Sequence, residues 1–65
     1  MDEGFHLAFR APDRSAVDRF HAEALRLGGT DDGAPGLRPH YGPSYYAAFV
    51  MDFDRHRLEV VHDPE

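Results

Sequence analysis

The chain has 65 residues, a formal net charge of −5, 42% hydrophobic residues and no cysteine. A domain this short buries only about 60% of the surface its unfolded chain exposes, so residues 1–65 form one domain whose small core needs reinforcement that neither a disulfide nor a thiolate zinc site can give. All seven basic residues are arginines, scattered through an acidic chain, which argues against a nucleic-acid partner.

No apolar run approaches the roughly 20 residues of a membrane span, and Met1-Asp2-Glu3-Gly4 lacks the basic start of a signal peptide, so the expectation is a cytoplasmic protein with no membrane partner. Phe5 to Ala11 sets Phe5, Leu7 and Phe9 against His6, Ala8 and Arg10, the period of two that marks a strand with unlike faces. Pro12-Asp13 ends it, and Asp13 or Ser15 caps the next element. From Ser15 to Leu27, Val17, Phe20, Ala24 and Leu25 recur at helical spacing, and Gly28-Gly29 supplies a left-handed stop. Thr30 to Gly36 reads as turns, and Leu37 to Tyr41 as a weak strand confined to a sheet edge by Pro39. Tyr45 to Met51 and Arg57 to Val61 make a hairpin across Asp52 to Arg55.

The order strand, helix, strand, strand, strand predicts an α+β module in which one helix covers one face of a four-stranded mixed sheet. Pairing Met51 with His56 puts Phe49 opposite Leu58 and Ala48 opposite Glu59, so Phe5, Leu7, Phe9, Phe49, Leu58 and Val60 are expected to meet the helix. The other face then holds His6, Ala8, Arg10, Tyr46, Ala48, Arg57, Glu59 and Val61. That face is neither a polar surface nor a core, and it calls for cover by a second copy of the chain.

Glu59 is a lone carboxylate in an apolar strand, and His6 stands among apolar residues in the same way. If the first and last strands are neighbours, an imidazole lies beside a carboxylate, which is half of a metal site. The competing structural reading makes His6 a hydrogen-bonded interface residue and pairs Glu59 with Arg10 or Arg57. His21 reads as packing, and His56 and His62 as turn and tail residues. His40 and Tyr41 fit either the lining of the uncovered sheet face or a surface loop, Tyr46 is expected on that face, and Arg10 suits an anionic substrate.

The runs Phe5-His6-Leu7-Ala8-Phe9, Val17-Asp18-Arg19-Phe20-His21, Gly33-Ala34-Pro35-Gly36-Leu37-Arg38-Pro39-His40-Tyr41, Tyr45-Tyr46-Ala47-Ala48-Phe49-Val50 and Leu58-Glu59-Val60-Val61 together resemble the second half of a vicinal oxygen chelate protein, of the glyoxalase, bleomycin-resistance and dioxygenase superfamily. The resemblance spans nearly the whole chain. It implies a βαβββ module, two of which make an eight-stranded cup around a divalent metal, with the first and last strands adjacent. It also implies metal ligands at His6 and Glu59, with Zn, Ni, Co, Mn or Fe as the ion, one per homodimer, and a small-molecule ligand in the cup. One departure is the turn Asp52-Phe53-Asp54-Arg55, where the family pattern has Asp-Pro-Asp-Gly and arginine replaces a glycine suited to positive φ.

The resemblance leads to a glyoxalase-like metalloenzyme of lyase or isomerase type, in which Glu59 shuttles a proton and Tyr46, Arg10 and His40 hold the substrate. Dioxygenase chemistry fits less well, since strict two-fold symmetry supplies two or four ligands rather than three. The alternatives are a metal-free binding module of bleomycin-resistance type and a structural half-module without activity.

Overall fold

A computed structural model of the protein describes residues 6–64, apart from the side chain of His6. The expected core residue Phe5 and the acidic head lie outside the described residues. β1 spans His6–Arg10, α1 Arg14–Arg26, β2 Thr30–Asp31, β3 Gly36–Leu37, β4 Tyr46–Met51 and β5 Arg57–His62.

Between β1 and α1 the cap falls to Asp13. Its backbone is extended, its carboxylate accepts the Ala16 N–H at 2.8 Å, and the Ser15 hydroxyl donates to the same oxygen at 3.1 Å. At the other end Gly28 turns to φ 106°, and the N–H groups of Gly28 and Gly29 reach the carbonyls of Leu25 and Ala24. Val17 and His21 are the buried residues of α1. No helix among the described residues is long and apolar enough to cross a membrane.

The sheet runs β1-β5-β4-β2, with β3 also on β4. β1 and β5 are parallel neighbours, as the resemblance implies, with Ala8 opposite Glu59 and His6 opposite Arg57. Where one weak strand was expected from Leu37 to Tyr41, two short ones occur. β2 pairs Thr30 with Met51, β3 pairs Leu37 with Tyr46, and exchanged hydrogen bonds of Phe49 with Asp32 and Gly33 join them into one interrupted edge along β4. The segment from Thr30 that reads as turns therefore belongs to the mixed sheet.

The expected hairpin register is corrected by one residue. Met51 pairs with Arg57, Val50 with Leu58, Phe49 with Glu59 and Ala48 with Val60. The cause is the turn. Asp52 and His56 still face each other through a hydrogen bond, so the loop is Phe53 to Arg55, and Arg55 takes the left-handed conformation at φ 67°. A three-residue loop that ends in a left-handed residue is a standard hairpin closure. Because side chains alternate, the slip turns every β4 residue to the opposite face from that expected, while β5 keeps its faces.

Two clusters result. Toward α1, Val17, Ala48 and Val60 are buried together, joined by Ala11, Phe20 and Tyr46. On the opposite face Ala47, Phe49 and Val61 are buried, joined by Tyr45.

Candidate functional site

The sheet face away from α1 carries the candidate site. At its centre, in β5, Glu59 is only 6% exposed. A carboxylate so enclosed requires hydrogen-bond partners. One is Tyr45, whose hydroxyl donates to Glu59 Oε2. Burial, reinforced by that bond and by the negative charge of Glu59, pushes the Tyr45 phenol up to about 12, so it remains a donor at any physiological pH.

Tyr45 begins an aromatic row. Its ring lies 4.9 Å from that of Tyr41, and Tyr41 lies 4.4 Å from His40. Across from Glu59 stands Phe49, whose ring centre is 4.3 Å from the Arg57 guanidinium and 5.3 Å from that of Arg38. Arg57 Nε donates to Asp32 Oδ2 at 2.8 Å, and Arg38 Nη2 donates to the Ala34 carbonyl at 2.8 Å. An open groove of about 510 Å³ lies among Asp32, Arg38, His40, Tyr41, Phe49 and Arg57.

The expected site residues fall out differently. Tyr46 is a correction. It packs on the α1 side, donates to Asp18 Oδ1 at 2.7 Å and lies under the Arg14 guanidinium, 5.0 Å from its ring centre. Tyr45, one residue earlier, occupies the cup in its place. Ala48 and Phe49 exchange faces in the same way. His40 is exposed at the groove's rim, and Arg10 is exposed at the end of β1, opposite Val61 in register. Arg57, one candidate partner for Glu59, is instead tied to Asp32. The backbone of His6 lies two residues before Ala8, the residue opposite Glu59; its side chain lies outside the described residues. Among the described residues no three His, Asp or Glu side chains gather closely enough to hold a metal ion.

His21 packs as expected, yet it also holds Asp31 Oδ1 at 2.9 Å through Nε2 and so ties α1 to β2. Asp31 is spoken for besides by the Gly33 N–H, and Asp52 by the N–H groups of Asp54 and His56. A second depression, about 360 Å³ near Gly28, Asp31, Asp52 and Phe53, is thus flanked by carboxylates already engaged by backbone.

Sheet order, the parallel β1–β5 pair and the helix on one face define a βαβββ module of the vicinal oxygen chelate fold. Solved structures agree. A glyoxalase/bleomycin resistance protein from Albidiferax ferrireducens superposes with a TM-score of 0.81 and 31% identity, covering 97% of this chain and 49% of that one. A hypothetical protein from S. aureus gives 0.77 and 17% over 89% of this chain and 48% of that one. A structure described as an NAD-dependent benzaldehyde dehydrogenase from Legionella pneumophila gives 0.70 and 20%, over 85% and 45%. No family model and no curated protein matches the chain. The chain spans about half the length of each of these structures, and it has the fold of a single vicinal oxygen chelate module.

Proposed function

We propose that the chain binds a small oxygenated molecule, together with a divalent metal ion, in a glyoxalase-like cup that a second copy of the chain completes. The observation that carries this reading is Glu59, a carboxylate enclosed on the sheet face that α1 does not cover and gripped by the Tyr45 hydroxyl. A purely structural sheet face gains nothing from enclosing an acid.

The donor chemistry fits a divalent ion. Glu59 offers carboxylate oxygen, the adjacent strand carries His6, and a hydrogen bond such as that from Tyr45 is the kind of outer contact that orients a ligating carboxylate. One chain alone falls short of a full ligand set, and two-fold pairing doubles each donor. When bound, the ion supplies Lewis-acid polarisation of neighbouring ligand oxygens. In such a cup Glu59 would accept a proton from a carbon of the bound ligand, Tyr45 would hold that carboxylate in place, and the Tyr41 and His40 rings would flank the substrate.

Metal analysis of protein purified without chelator, together with its mass in solution, tests the proposal. The expected result is one divalent ion per dimer, lost in His6→Ala. Equal metal in wild type and His6→Ala refutes the ligand assignment. The aromatic row favours a second reading, a metal-free module that sequesters planar ligands. At matched metal occupancy, Glu59→Gln lowers turnover of a hemithioacetal if the first reading holds. Absence of bound metal and of turnover, with ligand protection of Tyr45, selects the second.

A further inference from the structure

Neither the metal nor the proton transfer gives any role to the two guanidinium groups beside Phe49. Both are held in place. Arg57 is pinned at Nε by Asp32, which leaves the forked Nη end of its guanidinium with no protein partner among the described residues. Arg38 is pinned by a neutral carbonyl, that of Ala34, and no carboxylate among the described residues pairs with it.

The approach to Arg38 is built into the backbone. Gly33 has φ 150°, and a Cβ there would come within 2.9 Å of Phe49 Cδ1 and 3.2 Å of Arg38 Nη2. Only glycine lets the loop lie this close to the ring and the guanidinium. In a chain of net charge −5, two arginines share one aromatic ring at the base of a groove whose rim is the His40 and Tyr41 pair. Both guanidiniums line the groove and leave it two positive charges, which an anion bound there would offset.

We infer that this groove takes a small aromatic carboxylate. Its carboxylate is received by the unpaired ends of Arg38 and Arg57, and its ring lies against His40 and Tyr41. A guanidinium fork matches the geometry of a carboxylate, and the stacked rings supply the apolar wall that a planar body requires. Asp32 lines the groove and Glu59 stands opposite Phe49, so a monoanion is preferred to a dianion such as phosphate. The inference rests on the cup reading in that it names the ligand class of the same sheet face. The groove is nevertheless formed by one chain and needs neither metal nor partner.

The test is a titration of ¹⁵N-labelled protein with benzoate, with benzamide as the neutral isostere and inorganic phosphate as the anion without a ring. Benzoate is expected to shift the Arg38 and Arg57 side-chain N–H signals and the Tyr41 ring signals saturably, with benzamide and phosphate each binding at least about tenfold more weakly. Arg38→Gln should weaken benzoate about tenfold, equivalent to about 1.4 kcal/mol. Arg57→Gln should do so too, but it also cuts the Asp32 tie, so Arg38→Gln with an unchanged melting temperature is the deciding variant. Equal affinity for benzoate and benzamide, wild-type affinity in Arg38→Gln, phosphate as tight as benzoate, or no benzoate shift at millimolar concentration overturns the assignment. A metal-loaded dimer that ignores benzoate overturns it while leaving the proposed function intact. A metal-free monomer with arginine-dependent benzoate binding does the reverse.

Discussion

At Tyr45 a phenol beside an enclosed carboxylate holds its proton well beyond the usual tyrosine range. The sign of the linkage follows. The folded value is about 12 and the unfolded value about 10, so the contribution of this group to stability is complete below pH about 10 and is lost as pH rises through about 12. Alkaline difference absorbance should therefore show a tyrosine step near pH 12 that disappears in Tyr45→Phe; the same step surviving in that variant reassigns it. Tyr45→Phe should also cost about 1.5–3 kcal/mol, the range for a hydrogen bond to a charged group, measured by urea unfolding at neutral pH. Gly33 is constrained by its backbone. Gly33→Ala meets both a positive φ and a Cβ closer to Phe49 than real contacts allow, and should destabilise by more than about 1 kcal/mol.

The final hairpin shows how one turn decides a whole face. Period-two alternation made β1, β4 and β5 legible in the sequence, and Gly28-Gly29 with Asp13 bounded α1 to within a residue or so. The register was not legible. Counting Asp52 to Arg55 as a four-residue loop requires no unusual backbone, whereas the observed loop requires Arg55 to adopt φ 67°, a state the sequence signals only when glycine or asparagine stands there. That single conformation moved Tyr46 out of the cup and brought Tyr45 and Phe49 in. The roles of Arg38 and Asp32 were hidden for a related reason, since they depend on an interrupted edge strand too short to leave a periodic signal. Arg55→Gly should relieve the local strain and raise stability by up to about 1 kcal/mol, partly offset by the freer unfolded chain; thermal melting that falls by several degrees instead contradicts the turn geometry. The helix cap and two turns have a common weakness in acid. Asp13, Asp31 and Asp52 each sit below the normal carboxylate range, chiefly through bonds from backbone N–H groups of Ala16, Gly33 and His56. Their contribution is present above the unfolded value of about 3.9 and fades as pH falls through the lower folded values. Replacing all three by asparagine should flatten the loss of stability below pH about 4, and an unchanged acid profile would place the acid lability elsewhere.

For the molecule as a whole, the question is whether one module stands alone. Its core is divided between two faces of a single sheet, and among the larger side chains of the described residues only Val17 and Val50 are fully buried. Val17→Ala alone should cost about 2 kcal/mol, which is a large share of the stability open to so short a chain. Meanwhile β1 ends the sheet, with Leu7 43% and Phe9 45% exposed, and an uncovered edge strand is a template for pairing. The solved structures with this fold carry about twice the length. If a second copy supplies that missing half, folding and association are linked, and melting temperature must depend on protein concentration. Each tenfold increase in concentration adds about 1.4 kcal/mol per dimer, which for a pair of chains this size corresponds to a rise of about 5 °C. Calorimetry from ten micromolar to one millimolar, two tenfold steps, should show a rise of about 10 °C, and Ala8→Glu, which sets a second carboxylate opposite Glu59 on the edge strand, should lower the melting temperature and shift the mass in solution toward the monomer. A melting temperature independent of concentration, with a monomer mass throughout, removes the second copy from the cup.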